Sequence, residues 1–329
     1  MIARRSFVGG MAAVACIRAR AQPAATRVWR VGLLRPTTRP AVIDFMSMEV
    51  VLPRTLAELG YVEGRDLVIE THYADDDIAR LPELARALAA SRVDVIVAVT
   101  ASAVRAAMQA TSTIPIVIWG NFDPVQMGFA RSLSRPGGNV TGVLISPDGT
   151  LAAKKLELLK EAVPAGKRIA VLGPADPMVL QVQLPELKRA ASALGVELVV
   201  VTVRGRDYAR AFDEIAQAKP GSVFVAATTY FLFDRKQIID LAIRHRLPAI
   251  WEWREQVIDG GLMAYGTSLT ARLKLVAEVV GRILKGTPAG DIPIEQPTTF
   301  GLTLNLATAR AIGLAVPRAL LLRADEVLQ

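Results

Sequence analysis

Residues 93–119 read VDVIVAVTASAVRAAMQATSTIPIVIW, and this stretch decides the fold class. Residues 93–100 are almost all apolar and rich in Val, which predicts a strand buried on both faces. Residues 102–110 follow with helical character, and residues 114–119 form a second apolar run. A buried strand, a helix and another buried strand in succession predict a βαβ unit with a parallel sheet covered by helices.

The same alternation extends in both directions from this unit. Before it, we predict strands at 28–34 and 66–71 and helices at 41–59, which Gly60 ends, and at 80–90. RPGGNVTG at 135–142 breaks the pattern and predicts a loop at the edge of a lobe. The alternation then begins again, with helices at 154–163, 184–194, 208–218, 234–245 and 269–284 and strands at 168–172, 197–203, 222–227, 248–251 and 261–265. The chain therefore holds two similar α/β units and a tail.

Length and composition agree with two lobes. A chain of 329 residues suits two domains of ~150 residues each, and 52% apolar residues exclude a disordered chain. After the N-terminus no apolar run reaches the ~18 residues that a membrane-spanning helix needs. Two parallel sheets would leave a cleft at the carboxyl ends of their strands, where open α/β sheets bind ligands.

Residues 1–21, MIARRSFVGGMAAVACIRARA, have the parts of an export signal in order. Arg4 and Arg5 begin a basic region of the twin-arginine type, a short apolar stretch follows, and residues 19–21 have the small-x-small form of a cleavage site. Two alternatives remain: a frayed basic helix start, and a lipoprotein signal with Cys16 as the lipidated residue. Cys16 is the single cysteine of the chain, so cleavage after residue 21 leaves neither disulfides nor thiol catalysis.

The net charge of +8 does not indicate a nucleic-acid partner. The first 21 residues hold four arginines and no acid, so their removal lowers the net charge from +8 to +4. The remaining charges are scattered, without the basic stripe and interleaved aromatic residues that nucleic-acid binding requires.

Several segments, in this order, resemble the ABC-transporter substrate-binding family that includes tryptophan-binding TrpX-like proteins. They are GYVEG at 60–64 with LVIE at 67–70, DPV at 123–125 with RPGGNVTG at 135–142, KLELL at 155–159 with RIAVL at 168–172, LPAI at 247–250 with Glu255 and GGLMAYG at 260–266, GRILKG at 281–286, and QPT at 296–298. The resemblance covers nearly the whole chain after the export signal.

This resemblance implies the type I periplasmic-binding-protein fold: two doubly wound, Rossmann-like α/β lobes joined by a three-strand hinge. The N-terminal lobe would comprise residues 28–143 and about 266–298, and the C-terminal lobe residues 144–265 and about 299–329. It also implies a periplasmic monomer without cofactor or metal. Such a protein captures a small organic solute and delivers it to an ABC permease, which a separate ATPase subunit energises.

Thr100, Ala101 and Ser102 are the first candidate ligand contacts. They stand where a buried strand runs into a helix, and hydroxyls beside the free N–H groups of a helix N-terminus suit a carboxylate. The alternative is that one of the two hydroxyls simply caps the helix. Together with the resemblance, this helix start favours an amino acid or another carboxylate as the solute.

The other candidates also follow predicted strands. Asp123 would receive a ligand ammonium or serve as a turn residue before Pro124, and Arg35 would grip a carboxylate or remain on the surface. The remaining candidates are Thr37 and Asn121 in the first unit and Asp176, Thr229, Tyr230, Trp251, Glu252 and Tyr265 in the second. The acidic run at 75–77 predicts a solvated loop, with cation binding as the alternative.

Enzyme motifs are absent from the sequence. It contains no G-x-G-x-x-G, Walker A or G-x-S-x-G pattern, and its two histidines, His72 and His245, do not stand at metal-ligand spacing. A Rossmann-type enzyme is therefore the weaker alternative. A ligand-responsive repressor would need a helix-turn-helix where the export signal stands. A periplasmic sensor that presents its closed form to a membrane receptor stays open as a second function.

Overall fold

The computed structural model describes residues 27–39, 47–145 and 150–329. The predicted export signal at 1–21, with Cys16, lies outside the described residues. So do residues 41–46, where the predicted first helix would begin.

The first sheet, in the described residues, has five parallel strands in the order β2-β1-β3-β4-β5. Its strands are β1 Trp29–Arg35, β2 Leu67–Tyr73, β3 Val95–Val99, β4 Ile116–Gly120 and β5 Val140–Leu144. The intervening helices are α1 Met48–Glu58, α2 Leu81–Ala90 and α3 Ala101–Ala110. All residues of β3, β4 and β5 are buried, as their continuous apolar sequences require for strands covered on both faces.

Strand β5 corrects one prediction, since residues 140–142 belong to a strand and not to the predicted loop at 135–142. Gly142 has φ +146°, and a Cβ at this position would lie 2.3 Å from the carbonyl oxygen of Ile118. The glycine therefore permits close approach of β5 to β4, although in the sequence it looks like a loop residue.

The second sheet, again within the described residues, has seven strands in the order β12-β11-β10-β9-β8-β6-β7, with an antiparallel pairing between β10 and β11. Its strands are β6 Arg168–Pro174, β7 Glu197–Val203, β8 Ser222–Val225, β9 Ala249–Trp251, β10 Met263–Gly266, β11 Gly301–Asn305 and β12 Glu326–Leu328. The remaining helices are α4 Thr150–Ala162, α5 Pro177–Leu194, α6 Tyr208–Ala218, α7 Thr229–Phe233, α8 Arg235–Arg244, α9 Arg254–Ile258, α10 Leu269–Leu284, α11 Leu306–Ile312 and α12 Arg318–Arg323. The predicted tail thus supplies two strands and two helices.

The chain crosses between the two sheets three times. It leaves the first sheet after β5, returns after β10 to place α10 against β3, β4 and β5, and crosses again before β11. On the third crossing Glu295 pairs with Val143 of β5. This sheet membership supports the predicted lobe boundaries, which we keep as a proposal.

Arg272, in the first turns of α10, connects these crossings. Its buried Nη2 donates to the carbonyl oxygens of Leu144, 2.7 Å away, and Glu295, 2.9 Å away. Burial lowers the pKa of Arg272 to about 10, so the guanidinium stays charged at neutral pH. A single side chain therefore ties the second crossing to the first and the third.

Two further observations concern the described part of the chain. No helix there combines the length and the apolar character that a membrane span needs. No group of three or more His, Cys, Asp or Glu side chains there could hold a metal ion.

Candidate functional site

Two adjoining cavities lie between the carboxyl ends of the two sheets. We call the first the central cavity; it is lined by residues that follow β3 and β4 in one sheet and β6 and β8 in the other, among them Thr100, Asn121 and Thr229. The second, the edge cavity, has a volume of about 90 Å³ and is lined by residues that follow β1, β2, β6, β7 and β8. Asp176 lines both cavities, so they form one continuous candidate site.

The backbone at the start of α3 is strained. Thr100 has φ +78°, an uncommon conformation for a β-branched residue, and its side chain does not cap the helix. Its backbone N–H donates to the carbonyl oxygen of Trp119 at 2.9 Å, which holds it at the end of β4. Strain of this kind costs ~1–3 kcal/mol and is concentrated at functional sites.

Ser102 and Asp176 join the two lobes across the central cavity. The Ser102 hydroxyl donates to Asp176 Oδ2 at 2.7 Å, and both side chains are buried. Asp176 Oδ1 also accepts the backbone N–H of Met178 at 3.0 Å, because Asp176 is the N-cap of α5. The carboxylate thus lies between the N-terminus of α3 and the edge cavity.

Five candidate side chains around the cavities carry a buried polar atom that has no hydrogen-bond partner among the described residues. These atoms are Thr37 Oγ1, Thr100 Oγ1, Asn121 Oδ1, Thr229 Oγ1 and Tyr230 OH. They come from both sheets, and native proteins leave few such atoms unsatisfied. A polar molecule in the cleft would give these atoms partners.

The edge cavity combines aromatic surface with a polar end. Tyr208, Tyr230 and Phe231 are among its lining residues. The Tyr208 hydroxyl donates to Asp234 Oδ2 at 2.5 Å, and Arg206 also pairs with Asp234. Burial raises the pKa of both tyrosines, so both hydroxyls are neutral at pH 7.

A second contact between the lobes is made by two residues that line the edge cavity. Arg206, which follows β7, donates from Nη1 to Thr38 Oγ1 at 2.9 Å, and Thr38 follows β1 of the other sheet. The sequence prediction missed Thr38, Asp76, Arg206 and Asp234. The rule that candidate residues follow strands would have found Asp76 and Arg206 had it been applied to β2 and β7.

Comparison with known proteins decides the family. Residues 50–328 match the sequence model of the family described as ABC transporter substrate binding protein. The chain belongs to this family. The resemblance seen in the sequence is therefore confirmed, and the family is one of substrate-binding proteins and not of enzymes.

Three similar proteins illustrate the relationship of this substrate-binding protein to its family. A tyrosine-binding protein of Clostridioides difficile (strain R20291) is 25% identical over 259 residues, which are 79% of this chain and 74% of that protein. A conserved domain protein of Vibrio cholerae superposes with a TM-score of 0.80 at 25% identity, covering 92% of this chain and all of that one. An ABC domain from Streptococcus pneumoniae in complex with L-Trp gives 0.76 at 22% identity, covering 91% and 100%. The predicted type I periplasmic-binding-protein fold is confirmed.

Four of the sequence candidates in this substrate-binding protein are engaged elsewhere and do not line either cavity. Trp251 is 0% exposed within the core of the second lobe. Glu252 forms a buried ion pair with Lys155 at 2.5 Å. Tyr265 stacks on Phe300 with ring centroids 6.1 Å apart. Asp123 accepts the backbone N–H groups of two following residues and so forms the turn before Pro124.

Arg35 lies beside the cleft but is already paired. Its Nη1 donates to Glu49 at 2.7 Å, and its guanidinium lies 4.7 Å from the ring centroid of Phe233 in the second lobe. The strand-end candidates that the structure brings together are therefore Thr37, Thr100, Ala101, Ser102, Asn121, Asp176, Thr229 and Tyr230. Their role as ligand contacts stays a prediction.

Proposed function

We propose that this substrate-binding protein is exported to the periplasm, captures an aromatic amino acid between its lobes and hands it unchanged to the permease of an ABC importer. A separate ATPase subunit would drive uptake. The observation that carries this proposal is a set of five buried polar atoms without a partner among the described residues, all on cavity-lining residues that come from both sheets.

The α-carboxylate of the ligand fits the central cavity. The first N–H groups of a helix have no partner within the helix and carry the positive end of its dipole. At α3 these groups lie beside the unpartnered hydroxyls of Thr100 and, across the cleft, Thr229. Hydrogen bonds to an ionised carboxylate are about twice as strong as neutral ones.

The α-ammonium fits Asp176. Its carboxylate lines both cavities and is 4% exposed, so an ammonium bound there would be largely shielded from water. A ligand held at α3 by its carboxylate and at Asp176 by its ammonium directs its side chain into the edge cavity. There Tyr208, Tyr230 and Phe231 offer the ring faces that favour an aromatic side chain.

The size of the edge cavity agrees with this arrangement. A volume of about 90 Å³ is several times the ~10–15 Å³ that a cavity needs to hold one water molecule. The related proteins that are named for tyrosine or were solved with L-Trp point to the same ligand class. A solute that contacts both lobes would stabilise the closed form of the protein. In this proposal the permease recognises that closed form and so receives only the loaded protein.

Titration calorimetry and thermal melts with L-tyrosine, L-tryptophan and L-phenylalanine test the proposal. A ligand at 100 times its dissociation constant stabilises the folded protein by ~2.7 kcal/mol, so we expect the melting temperature to rise by several degrees. Absence of any rise with all three amino acids, or chemical conversion of the added compound, would contradict the proposal.

A pair of aspartates that both cap helices of the second lobe gives a matched control. Asp176→Asn keeps an N-cap side chain but removes the negative charge, and we expect affinity to fall at least tenfold. Asp207 caps α6 by accepting the backbone N–H of Arg210, is exposed and does not line either cavity. Asp207→Asn should leave affinity unchanged, and equal losses in the two variants would place the ammonium elsewhere.

A further inference from the structure

The three aspartates of the acidic run at 75–77 differ in their exposure to solvent. Asp75 is exposed and pairs with Arg80, and Asp77 accepts the backbone N–H of Ala79 at 3.0 Å. Asp76 instead lines the edge cavity and is partly buried. Asp75 and Asp76 have φ of +54° and +63°, a left-handed conformation that Asp tolerates better than most residues. This turn directs the middle residue of the run inward.

The order of the strands places Asp76 at the far end of the candidate site from α3. In the first sheet α3 follows β3, whereas Asp76 follows β2, two strands away at the edge. Neighbouring strands lie ~4.8 Å apart, so the two positions are separated by about 10 Å across the sheet. Asp176 lies between these two ends of the site, because it lines both the central cavity and the edge cavity. A ligand whose polar head lies at α3 therefore extends its side chain towards Asp76.

The two carboxylates at this end differ in the donors that they already have. Asp234 accepts from the Tyr208 hydroxyl and from Arg206. Among the described residues, Asp76 has the backbone N–H of Thr38 as its hydrogen-bond donor. An ionised carboxylate has room for about four hydrogen bonds and can only accept them. Thr37 lines the same cavity and is 4% exposed as a residue. Its Oγ1 is buried and has no hydrogen-bond partner among the described residues.

The charge around Asp76 favours a neutral donor over a cation. Burial raises the pKa of Asp76, and the nearby guanidinium of Arg206 opposes this rise. A cationic group on the ligand would be repelled by the guanidinium of Arg206, which interacts with the same carboxylate. A neutral O–H or N–H group on a ring would be repelled much less.

We propose that Asp76 is a specificity-determining residue, which accepts a hydrogen bond from a donor at the distal end of an aromatic ligand side chain. The inference rests on the proposed function and narrows it: the site prefers a ring that carries O–H or N–H over the same ring without a donor. A site built to bond such a group discriminates strongly against analogues that lack it, because its own polar group is then left unpaired.

Calorimetry with paired ligands tests this preference in the wild-type protein. The pairs are L-tyrosine against O-methyl-L-tyrosine and L-phenylalanine, and L-tryptophan against 1-methyl-L-tryptophan, which distinguish a phenol from an indole donor. We expect the donor-bearing member of at least one pair to bind 10- to 100-fold tighter.

Asp76→Gly removes the carboxylate and suits the positive φ, and Asp75→Gly is the matched control in the same turn. In Asp76→Gly the affinity for the preferred donor ligand should fall to that of its donor-free analogue, whose own affinity should change less than threefold. Asp75→Gly should keep the wild-type ratio. Asp76→Asn, which retains an acceptor oxygen, should recover part of the preference.

Three results would overturn the proposal. Donor-bearing and donor-free ligands that bind the wild type within threefold of each other would do so, as would an Asp76→Gly variant that weakens both equally. L-lysine or L-arginine binding tighter than L-tyrosine would show that the distal partner is a cation. If the wild type binds no aromatic amino acid at all, or prefers L-lysine or L-arginine, the proposed ligand class fails and this inference with it; the first two outcomes leave the proposed function standing.

Discussion

Replacing Arg272 by methionine should loosen the hinge region without changing either sheet. The substitution keeps the aliphatic stem against the core but removes the guanidinium that donates to Leu144 and Glu295 at 2.7 and 2.9 Å. Hydrogen bonds that involve a charged group contribute ~1.5–3 kcal/mol each.

The net loss is smaller than the sum of the two bonds. The buried guanidinium has itself been desolvated, which is the cause of its lowered pKa, and methionine removes this cost. The carbonyl oxygen of Glu295 also keeps the N–H of Leu144 as a partner. We therefore expect the free energy of unfolding to fall by about 2–3 kcal/mol, which lowers the melting temperature by roughly 3–5 °C in a protein of this size.

Urea titration and thermal melts followed by circular dichroism measure this loss. Arg282→Met is the matched control, because Arg282 lies on the same helix and is exposed. Surface substitutions of this kind change stability by less than ~0.5 kcal/mol. If Arg272→Met unfolds at the same urea concentration and temperature as Arg282→Met, the guanidinium does not hold the crossings together.

Two further predictions concern the close approach of β5 to β4 and the charge in the edge cavity. Gly142→Ala would place a methyl group 2.3 Å from a backbone oxygen, so we expect a loss above ~3 kcal/mol or no soluble protein; Gly138→Ala, also at positive φ but in open space, should cost ~1–2 kcal/mol in the same melts. Asp76→Asn should raise the melting temperature of the ligand-free protein at pH 7 while weakening ligand binding. Because burial raises the folded-state pKa of Asp76 above its unfolded value, ionisation opposes folding and stability is lost as pH rises between the two pKa values. The advantage of the amide should therefore shrink when melts are repeated near pH 3, and an advantage that stays constant or grows there would contradict the reasoning.

The sequence predicted the alternation of strands and helices well where the apolar pattern is regular. The bounds of β7, α6 and α10 match the predicted 197–203, 208–218 and 269–284. The single helix predicted at 234–245 is α8, and a separate short helix, α7, precedes it; the two are separated at Asp234. This residue turns to accept hydrogen bonds from Tyr208 and Arg206, and apolar periodicity carries no information about such a tertiary contact.

Candidate residues were predicted less evenly, for a reason that Glu252 illustrates. The position after a strand was known from the sequence, but the direction of the side chain depends on partners that are remote in the chain. Glu252 forms a buried ion pair with Lys155, which lies 97 residues earlier in the chain. The position of Asp76 could not be predicted for the same reason. It lines the cavity because Asp75 and Asp76 adopt left-handed backbone conformations, whereas the acidic run has the composition of a solvated loop.

The unpartnered atoms around the cleft bear on how closure depends on ligand. In an open form water would satisfy them, and in the closed form each buried atom left without a partner costs ~1–3 kcal/mol. The lobes also contact each other directly, through the hydrogen bonds Ser102–Asp176 and Arg206–Thr38 and the contact of Arg35 with Phe233. A zwitterion that gives the five atoms partners on both sides removes their cost and leaves these direct contacts in place. Under the proposed function, binding therefore shifts the equilibrium towards the closed form, and a permease that recognises this form would distinguish the occupied protein from the empty one.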